Sequence, residues 1–336
     1  MSATIDMGKI AVIGSGSWAT ALAKLLLNNC ERIVWFVHRQ DRIDEFVRYG
    51  HNPAYLSDVA FDTGRIDFTS DIDKACTDAD TLLLVVPSPY FKSTVDGISA
   101  DISGKNIVSA VKGIVPGTNM IVSDFMEKSF GCKRSNMLVI GGPCHAEEVA
   151  LERLSYLTIG CSDAAKAATF ASMLAGPKLK TILSADVNGI EYAAVLKNVY
   201  AIMSGIISGM KAGDNFLAMM ASNAIREMRG FVDAVSPMES RDICRSAYLG
   251  DLLVTAYSKF SRNHNFGSMI GKGYSVKAAM MEMDMVAEGY FGTECIHRIN
   301  STGPDVNMPI LECVYNILYR NSNPRTAIDA ITSSFT

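Results

Sequence analysis

The chain has 336 residues, of which 49% are hydrophobic and 20% charged, and its formal net charge is −4. This length favours two domains, and this balance of residue types is typical of a packed globular protein. No lysine- or arginine-rich block is present, which argues against a nucleic-acid or anionic-membrane surface. No uninterrupted apolar run reaches the roughly 18 residues of a membrane span. The eight cysteines form no CxxC pair, so we expect no metal site, no disulfide framework and a cytoplasmic location.

The first half of the chain alternates short apolar runs with helical patterns. The runs lack period-2 alternation, as in parallel strands that are covered on both faces. The pattern predicts strands at Lys9–Ile13, Arg32–Val37, Thr81–Val86, Asn106–Ala110 and Met137–Ile140, and helices at Ser17–Asn29 and Asp41–Tyr49. Strands that alternate with helices in this way predict a Rossmann-type, doubly wound α/β sheet.

Strand patterns fade after about residue 185. Helical patterns then cover Asn188–Met210, Phe216–Phe231, Ser275–Val286 and Met308–Arg320. We therefore predict an α/β domain over residues 1–185 and an all-helical domain over residues 186–336.

A glycine-rich loop joins the first predicted strand to the first helix. Its sequence, Gly14-Ser15-Gly16-Ser17-Trp18-Ala19, has the pattern GxGxxA in a strand–turn–helix context. Gly14 permits the tight turn, Gly16 allows a pyrophosphate to approach the backbone, and Ala19 lets the helix pack close to the strand. The free N–H groups at the helix N-terminus attract the anion. We therefore predict that the first domain binds a dinucleotide.

The end of the second predicted strand bears on which dinucleotide is used. An acidic residue there would bind the ribose 2′-hydroxyl of NAD, but this strand ends in Phe36-Val37-His38-Arg39. A basic end favours or tolerates a 2′-phosphate, so we predict that NADP is used. Alternatively, Arg39 is an exposed residue that stacks on adenine without discriminating between the cofactors.

Two later loops also follow predicted strands. Lys112 lies just after Asn106–Ala110, at the carboxyl end where ligands bind in such sheets. It could reach a phosphate or a carbonyl group, or it could be an ordinary surface lysine. The segment Gly141-Gly142-Pro143-Cys144-His145-Ala146 follows Met137–Ile140 and opens a helix, which offers a second turn suited to anions.

Lys197 lies within the predicted helix Asn188–Met210. This helix is apolar nearly all round, which predicts that it is buried. Burial would lower the pKa of the Lys197 ammonium towards the range useful for acid–base catalysis. The pattern equally allows a lysine whose stem is buried and whose amine reaches solvent.

Two polar segments interrupt apolar sequence further along the chain. Asp251, within Tyr248–Leu253, could be a site residue or simply a helix N-cap. The cluster Ser261-Arg262-Asn263 could bind a phosphate through charge-assisted hydrogen bonds, or it could be an ordinary polar loop.

Taken in order, these segments resemble the bacterial NAD(P)-dependent glycerol-3-phosphate dehydrogenase family, from Lys9 to about Ala330. The resemblance rests on GSGSWATALA (Gly14–Ala23), NPAYL (Asn52–Leu56), VVPS (Val85–Ser88), VKGI (Val111–Ile114), GGPCHAEE (Gly141–Glu148), LKNVYAI (Leu196–Ile202), LGDLLVT (Leu249–Thr255), SRNHNFG (Ser261–Gly267) and AEGY (Ala287–Tyr290).

The resemblance implies reduction of dihydroxyacetone phosphate by NAD(P)H, giving sn-glycerol 3-phosphate for phospholipid synthesis. It implies that Lys197 carries the proton transfer, with Lys112 and Asp251 as the other catalytic residues. The implied substrate-binding residues are Lys112, Gly142, Cys144, Lys197, Asp251, Ser261, Arg262 and Asn263. The implied cofactor-binding residues are Gly14, Gly16, Ser17, Trp18, His38, Arg39, Tyr55, Lys112, Ala146, Arg262, Val286 and Glu288. We also expect a homodimer.

The sequence departs from the family pattern at several positions. Relatives usually carry Ser or Thr where Cys144 stands, and His145 replaces a commonly apolar aromatic residue. The segment SRNHNFG lacks an arginine found in relatives, which removes positive charge near the substrate phosphate. We expect a retuned pocket and a retained activity, because Lys112, Lys197, Asp251 and Arg262 are all present.

Two other functions are alternatives to glycerol-3-phosphate dehydrogenase activity. A hydroxy-acid or sugar-acid dehydrogenase would need an arginine pair for its carboxylate substrate, and the polar segments show none clearly. A non-catalytic NAD(P) sensor would keep the glycine loop but should have lost Lys112 and Lys197.

Overall fold

The computed structural model describes residues 6–258, 260–283 and 285–335. The chain divides into two compact units. The first comprises Met1–Val111 and Val122–Val187, and the second comprises Lys112–Ile121 and Asn188–Thr336. The short segment Lys112–Ile121 therefore belongs to the second unit, although it lies between two stretches of the first unit along the chain.

The first unit is built on an eight-stranded sheet. Its strands are β1 (Ile10–Ile13), β2 (Ile33–Phe36), β3 (Ile66–Thr69), β4 (Thr81–Leu84), β5 (Asn106–Ser109), β6 (Met137–Gly141), β7 (Ser155–Cys161) and β8 (Leu179–Ser184). They lie in the order β3-β2-β1-β4-β5-β6-β7-β8. Neighbouring strands are parallel except β6 and β7, which are antiparallel. The doubly wound sheet predicted from the sequence is confirmed.

Seven helices accompany this sheet in the described part of the first unit. They are α1 (Ser17–Asn29), α2 (Gln40–Tyr49), α3 (Ile72–Thr77), α4 (Ser88–Val95), α5 (Val122–Phe130), α6 (Ala146–Ala150) and α7 (Ala164–Leu174). Every residue of β1, β2 and β4 is buried, as their continuous apolar runs predict. Strand β1 pairs with β2 on one side and β4 on the other. The strand order reverses at this point, where ligands bind in open α/β sheets.

Apart from the segment Lys112–Ile121, which holds only turns and a β-bridge between Val115 and Met120, the described part of the second unit consists of helices joined by loops. Its helices are α8 (Val187–Gly209), α9 (Asp214–Val235), α10 (Asp251–Tyr257), α11 (Arg262–Gly271), α12 (Val276–Met281), α13 (Glu288–Thr302), α14 (Pro309–Tyr319) and α15 (Pro324–Thr332). Helix α8 is long and apolar enough to cross a membrane, but its apolar stretch is wholly buried inside the protein. It is therefore placed as the core helix of a globular unit.

The helix predicted over Ser275–Val286 is shorter in the structure. Ser275 caps the N-terminus of α12 by accepting a hydrogen bond from the Ala278 N–H, and the helix ends at Met281. The carbonyl of Val286 faces the Arg262 guanidinium, with Nη1 at 3.5 Å. The apolar pattern of residues 275–286 could not indicate this tertiary contact, and the predicted helix is therefore too long.

Helices α8 and α11 touch through their main chains. Four glycines lie at this crossing: Gly205 and Gly209 on α8, and Gly267 and Gly271 on α11. A Cβ added at any of them would overlap main-chain atoms of the other helix. The atoms met along α11 shift from His264 to Ser268 between Gly205 and Gly209, so the two helices run in the same direction. This crossing fixes the spacing of the helices that carry Lys197 and Arg262.

Candidate active site

The glycine loop of the first unit adopts a conformation that requires glycine. Gly14 has φ +129°, and a Cβ added there would lie 2.5 Å from the carbonyl oxygen of Val85. The Gly14 carbonyl accepts a hydrogen bond from the Trp35 indole at 2.7 Å, which helps to fix the turn. Around Gly16 a Cβ would meet nothing within 4 Å, so open space adjoins the loop. The local geometry therefore suits a ligand that approaches the backbone closely.

The N-terminus of α1 follows directly from this loop. Gly16 is the N-cap residue, and no described side chain supplies a capping hydrogen bond there. Ser17 and Trp18 are half-buried in the first turn, which contains no acidic residue. The partial positive charge of the helix end is therefore left for an anion such as a pyrophosphate. These residues fit a dinucleotide.

The end of β2 holds an ion pair that the sequence prediction overlooked. The exposed Arg39 donates from Nε to Oδ1 of Asp41 at 3.0 Å, and its Nη2 pairs with the other carboxylate oxygen. Hydrogen bonding to Arg39 lowers the pKa of Asp41. The carboxylate of Asp41 therefore lies beside Arg39, two residues after the segment Phe36–Arg39 on which the cofactor prediction rests. Because both side chains are exposed, the pair is weak and Arg39 can exchange partners.

Other residues with expected roles in the first unit lie in two turns. Tyr55 is half-buried, and its N–H donates to Oδ1 of Asn52 at 3.2 Å. Gly142 has φ +105°, and a Cβ there would lie 3.0 Å from the Tyr156 carbonyl oxygen. Cys144 and Ala146 are buried in the same turn, where His145 is the N-cap residue of α6.

The second unit places Lys197 and Asp251 in a buried ion pair. Lys197 lies on α8, and Asp251 is the first residue of α10, directly after a π-helical turn at Ser246–Gly250. Such turns occur frequently at functional sites. The Lys197 side chain is 3% exposed and that of Asp251 is 2% exposed. Lys197 is thus buried, and its amine does not reach solvent. Asp251 is no N-cap, because Gly250 holds that position.

The burial of Lys197 changes its acid–base behaviour. Loss of hydration lowers the pKa of Lys197 to about 8, while the neighbouring carboxylate of Asp251 opposes this change. The nearby ammonium of Lys112 lowers the pKa further. The amine can therefore gain and lose a proton near neutral pH, as a general acid–base group must.

Asp251 retains an unused hydrogen-bonding atom. Thr255 donates from its hydroxyl to the Asp251 carbonyl at 2.7 Å, and the same hydroxyl lies 3.5 Å from Oδ1. Within the described residues, Oδ2 of Asp251 is buried and has no hydrogen-bond partner. Buried carboxylate oxygens are rarely left unpaired. This oxygen is placed to accept a hydrogen bond from a ligand hydroxyl.

Lys112 lies near the Lys197–Asp251 pair, because the segment Lys112–Ile121 belongs to the second unit. The side-chain amide of Asn198 donates to the Lys112 carbonyl at 3.2 Å, and Asn198 directly follows Lys197 on α8. Sequence reasoning did not select Asn198. The available signal was a polar amide beside a lysine within an otherwise apolar helix.

The start of α11 gathers the polar cluster predicted to bind phosphate. Ser261 is the N-cap, and its hydroxyl accepts from the His264 N–H at 3.2 Å. Oδ1 of Asn263 accepts from the Gly289 N–H at 2.9 Å, so the amide is oriented with Nδ2 as its remaining donor. Glu288, the first residue of α13, is half-buried next to Gly289. Arg262 is half-buried at the first position of α11.

Two family models match the chain in succession. The model for the N-terminus of NAD-dependent glycerol-3-phosphate dehydrogenase matches residues 9–167, and the model for its C-terminus matches residues 186–329. The chain belongs to this family. The glycerol-3-phosphate dehydrogenase [NAD(P)+] of Limosilactobacillus fermentum is 30% identical over 332 residues, which cover 97% of each chain. That of an Exiguobacterium species is 32% identical over 326 residues, covering 96% of this chain and 94% of the relative.

Solved structures of glycerol-3-phosphate dehydrogenases have the same fold. The crystal structure of the enzyme from Coxiella burnetii matches with a TM-score of 0.88 and 26% identity, covering 96% of this chain and 98% of that one. The family and the fold predicted from the sequence are thus confirmed. The roles of individual residues in this glycerol-3-phosphate dehydrogenase family member remain predictions.

Proposed function

We propose that this chain is an NAD(P)-dependent glycerol-3-phosphate dehydrogenase that interconverts dihydroxyacetone phosphate and sn-glycerol 3-phosphate. The observation that carries the proposal is the buried Lys197–Asp251 pair with Lys112 beside it. The chain also belongs to the glycerol-3-phosphate dehydrogenase family, and its relatives carry the name of this enzyme. A buried, partly neutralised lysine is the acid–base group that reduction of a ketone requires.

Lys197 acts at the substrate oxygen on C2. NAD(P)H, when bound, supplies the hydride that C2 accepts. The Lys197 ammonium polarises the ketone and donates its proton to the oxygen as the alcohol forms. In the oxidative direction the neutral amine accepts that proton. Asp251 stabilises the ammonium through the ion pair, and its unpaired Oδ2 is available to a substrate hydroxyl.

The phosphate is held by the start of α11. Arg262 contributes its guanidinium, and Asn263 contributes the Nδ2 donor that the hydrogen bond from Gly289 leaves available. Charge-assisted hydrogen bonds of this kind orient the substrate and use binding energy from a part of the molecule that does not react. Lys112 adds a second positive charge close to Lys197.

The glycine loop and the N-terminus of α1 would hold the dinucleotide pyrophosphate. His38 and Arg39 would face the adenosine ribose, and we propose that they accept the 2′-phosphate of NADP. We further propose a cytoplasmic homodimer whose product supplies phospholipid synthesis. Residues 1–185 would form the dinucleotide-binding domain and residues 186–336 the substrate domain.

A spectrophotometric assay tests the proposed function. The purified chain should oxidise NADPH or NADH rapidly with dihydroxyacetone phosphate and negligibly with a panel of 2-keto acids. Turnover of a keto acid instead would identify a hydroxy-acid dehydrogenase. Cofactor binding without any turnover would identify a sensor. Either result would reject the proposal.

A further inference from the structure

Asn52 lies in the segment Asn52–Leu56, in which the family resemblance implies a role for Tyr55 alone. The residue is 4% exposed and uses its whole hydrogen-bonding capacity within the first unit. Nδ2 donates to the Ser15 carbonyl at 3.0 Å and to the Thr20 hydroxyl at 2.8 Å. Oδ1 accepts from the N–H groups of Ala54 and Tyr55 at 3.0 and 3.2 Å. One buried amide thus joins two segments that are far apart in sequence.

The side-chain amide of Asn52 donates hydrogen bonds that help to hold the carbonyl groups of the glycine loop. Thr20, which accepts from Asn52, donates a hydrogen bond from its own hydroxyl to the Gly16 carbonyl at 3.0 Å. The carbonyls of Ser15 and Gly16 are therefore both bound inside the protein. A peptide unit whose carbonyl is held inwards directs the N–H of the next residue outwards. The network thus orients loop N–H groups towards an anion and keeps the carbonyl oxygens, which would repel it, away.

The acceptor oxygen of the same amide holds the second segment. By accepting from the N–H groups of Ala54 and Tyr55, Oδ1 closes a turn at the start of this segment. The turn fixes the main chain from which the half-buried Tyr55 side chain extends. The position of Tyr55 relative to the glycine loop therefore depends on Asn52.

We infer that Asn52 is a positioning residue for the dinucleotide. It holds the glycine loop in its anion-binding conformation through Ser15 and Thr20, and it sets Tyr55 against the same ligand. This inference rests on the proposed function, because it presumes that the loop binds NAD(P). It concerns binding of the cofactor alone and assigns Asn52 no part in proton or hydride transfer.

Two substitutions test the inference with different risks to folding. Asn52→Ala removes all four hydrogen bonds. Thr20→Val keeps the shape of the side chain and removes two hydrogen bonds, the one accepted from Asn52 and the one donated to the Gly16 carbonyl, which still accepts from the Thr20 N–H. The matched control is Asn29→Ala, because the Asn29 amide also donates to two main-chain carbonyls, those of Met173 and Ala175, but from the far end of α1. Thermal unfolding of each variant establishes that it is folded.

The measured quantity is the dissociation constant of NADPH and of ADP-ribose, followed by fluorescence titration without turnover. Loss of these hydrogen bonds should raise both constants about tenfold in Asn52→Ala and about threefold in Thr20→Val. The KM for dihydroxyacetone phosphate at saturating cofactor should be unchanged, as should every constant of Asn29→Ala. Wild-type dissociation constants in folded Asn52→Ala or Thr20→Val would overturn the inference, as would a rise in the KM for dihydroxyacetone phosphate as large as the rise in the NADPH dissociation constant. If the wild-type chain itself bound neither ligand, the proposed function would fail instead.

Discussion

Lys197 and Asp251 are ion-paired in the interior of the helical unit, and neither side chain is more than 3% exposed. Burying both charges is costly, and removing one partner leaves the other without compensation. Proteins retain such pairs in catalytic sites because burial brings a pKa to a useful value. We therefore expect substitutions at this pair to change both catalysis and stability.

Replacing Lys197 by methionine should abolish most catalysis. We expect Lys197→Met to lower kcat about 10²–10⁴-fold, the usual contribution of general acid–base catalysis, with cofactor affinity unchanged. The variant should also lose about 3–5 kcal/mol of stability, because Asp251 is left buried and unpaired. The double variant Lys197→Met with Asp251→Asn should recover much of this stability without recovering kcat. Near-normal turnover in either variant would show that Lys197 is not the proton donor.

The pH dependence of the two directions should be opposite. Reduction needs the protonated amine, so kcat/KM for dihydroxyacetone phosphate should fall as the pH rises through about 8, the lowered pKa of Lys197 before substrate binds. Oxidation of glycerol 3-phosphate needs the neutral amine and should rise over the same range. Because the carboxylate of Asp251 raises this pKa, Asp251→Asn should move the reductive limb to lower pH. Profiles of kcat/KM at saturating cofactor measure both effects, and a limb that does not move would exclude this coupling.

Arg262 should contribute only to substrates that carry a phosphate. Loss of its charge-assisted hydrogen bonds in Arg262→Ala should cost about 2–4 kcal/mol in kcat/KM with dihydroxyacetone phosphate. Dihydroxyacetone, which lacks the phosphate, should be nearly insensitive to the change. Comparison of kcat/KM for the two substrates is the measurement. Equal losses for both would point to a general structural effect of the substitution.

We expect cofactor choice to depend on how Arg39 divides its interactions between Asp41 and a ribose phosphate. The wild type should use NADPH at least as well as NADH, and Arg39→Ala should weaken NADPH selectively. The pairing with Asp41 adds a second test. Asp41→Asn should improve NADPH binding, because it frees the guanidinium and removes a negative charge. Steady-state kcat/KM for both cofactors decides the matter, and a strong wild-type preference for NADH would contradict the prediction.

The glycine crossing of α8 and α11 should be intolerant of a single methyl group. Gly267→Ala places a Cβ against the Ile202 main chain and should cost about 2–3 kcal/mol of unfolding free energy. Gly230→Ala on α9 is the control, since its Cβ would meet only the Val306 side chain at 3.4 Å. There the gain in helix propensity should leave stability equal or higher by up to about 1 kcal/mol. Chemical denaturation measures both, and similar stabilities would contradict the packing argument.

The sequence predicted what local patterns determine. Helix α1 begins and ends at the predicted residues, Ser17 and Asn29, because the glycine loop marks its start and apolar spacing defines its length. The pattern also predicted a buried helix around Lys197, but it could not decide where the amine lay. That depended on Asp251, a partner 54 residues away on another helix, and no local spacing reveals such a pairing.

Tertiary contacts account for the other differences. The hydrogen bond from Asn198 to the Lys112 carbonyl lies within the second unit, whereas the chain order around Lys112 indicates only a loop after a strand. The pairing of Arg39 with Asp41 could be predicted from the sequence, because the two residues are only two positions apart. Asp41 lies beyond the strand end, in the first turn of α2, where the strand pattern gives no reason to expect a partner for Arg39.

The main-chain contact between α8 and α11 also limits how this protein can evolve. A spacing set by two layers of side chains can be adjusted in small steps, by exchanging valine for isoleucine or leucine for methionine. Here both surfaces are already glycine, so no smaller residue exists and any larger one forces the helices apart. Selection for a longer or shorter substrate has no gradual route through this crossing. It must act on side chains outside this crossing, while the distance between the helices is inherited unchanged.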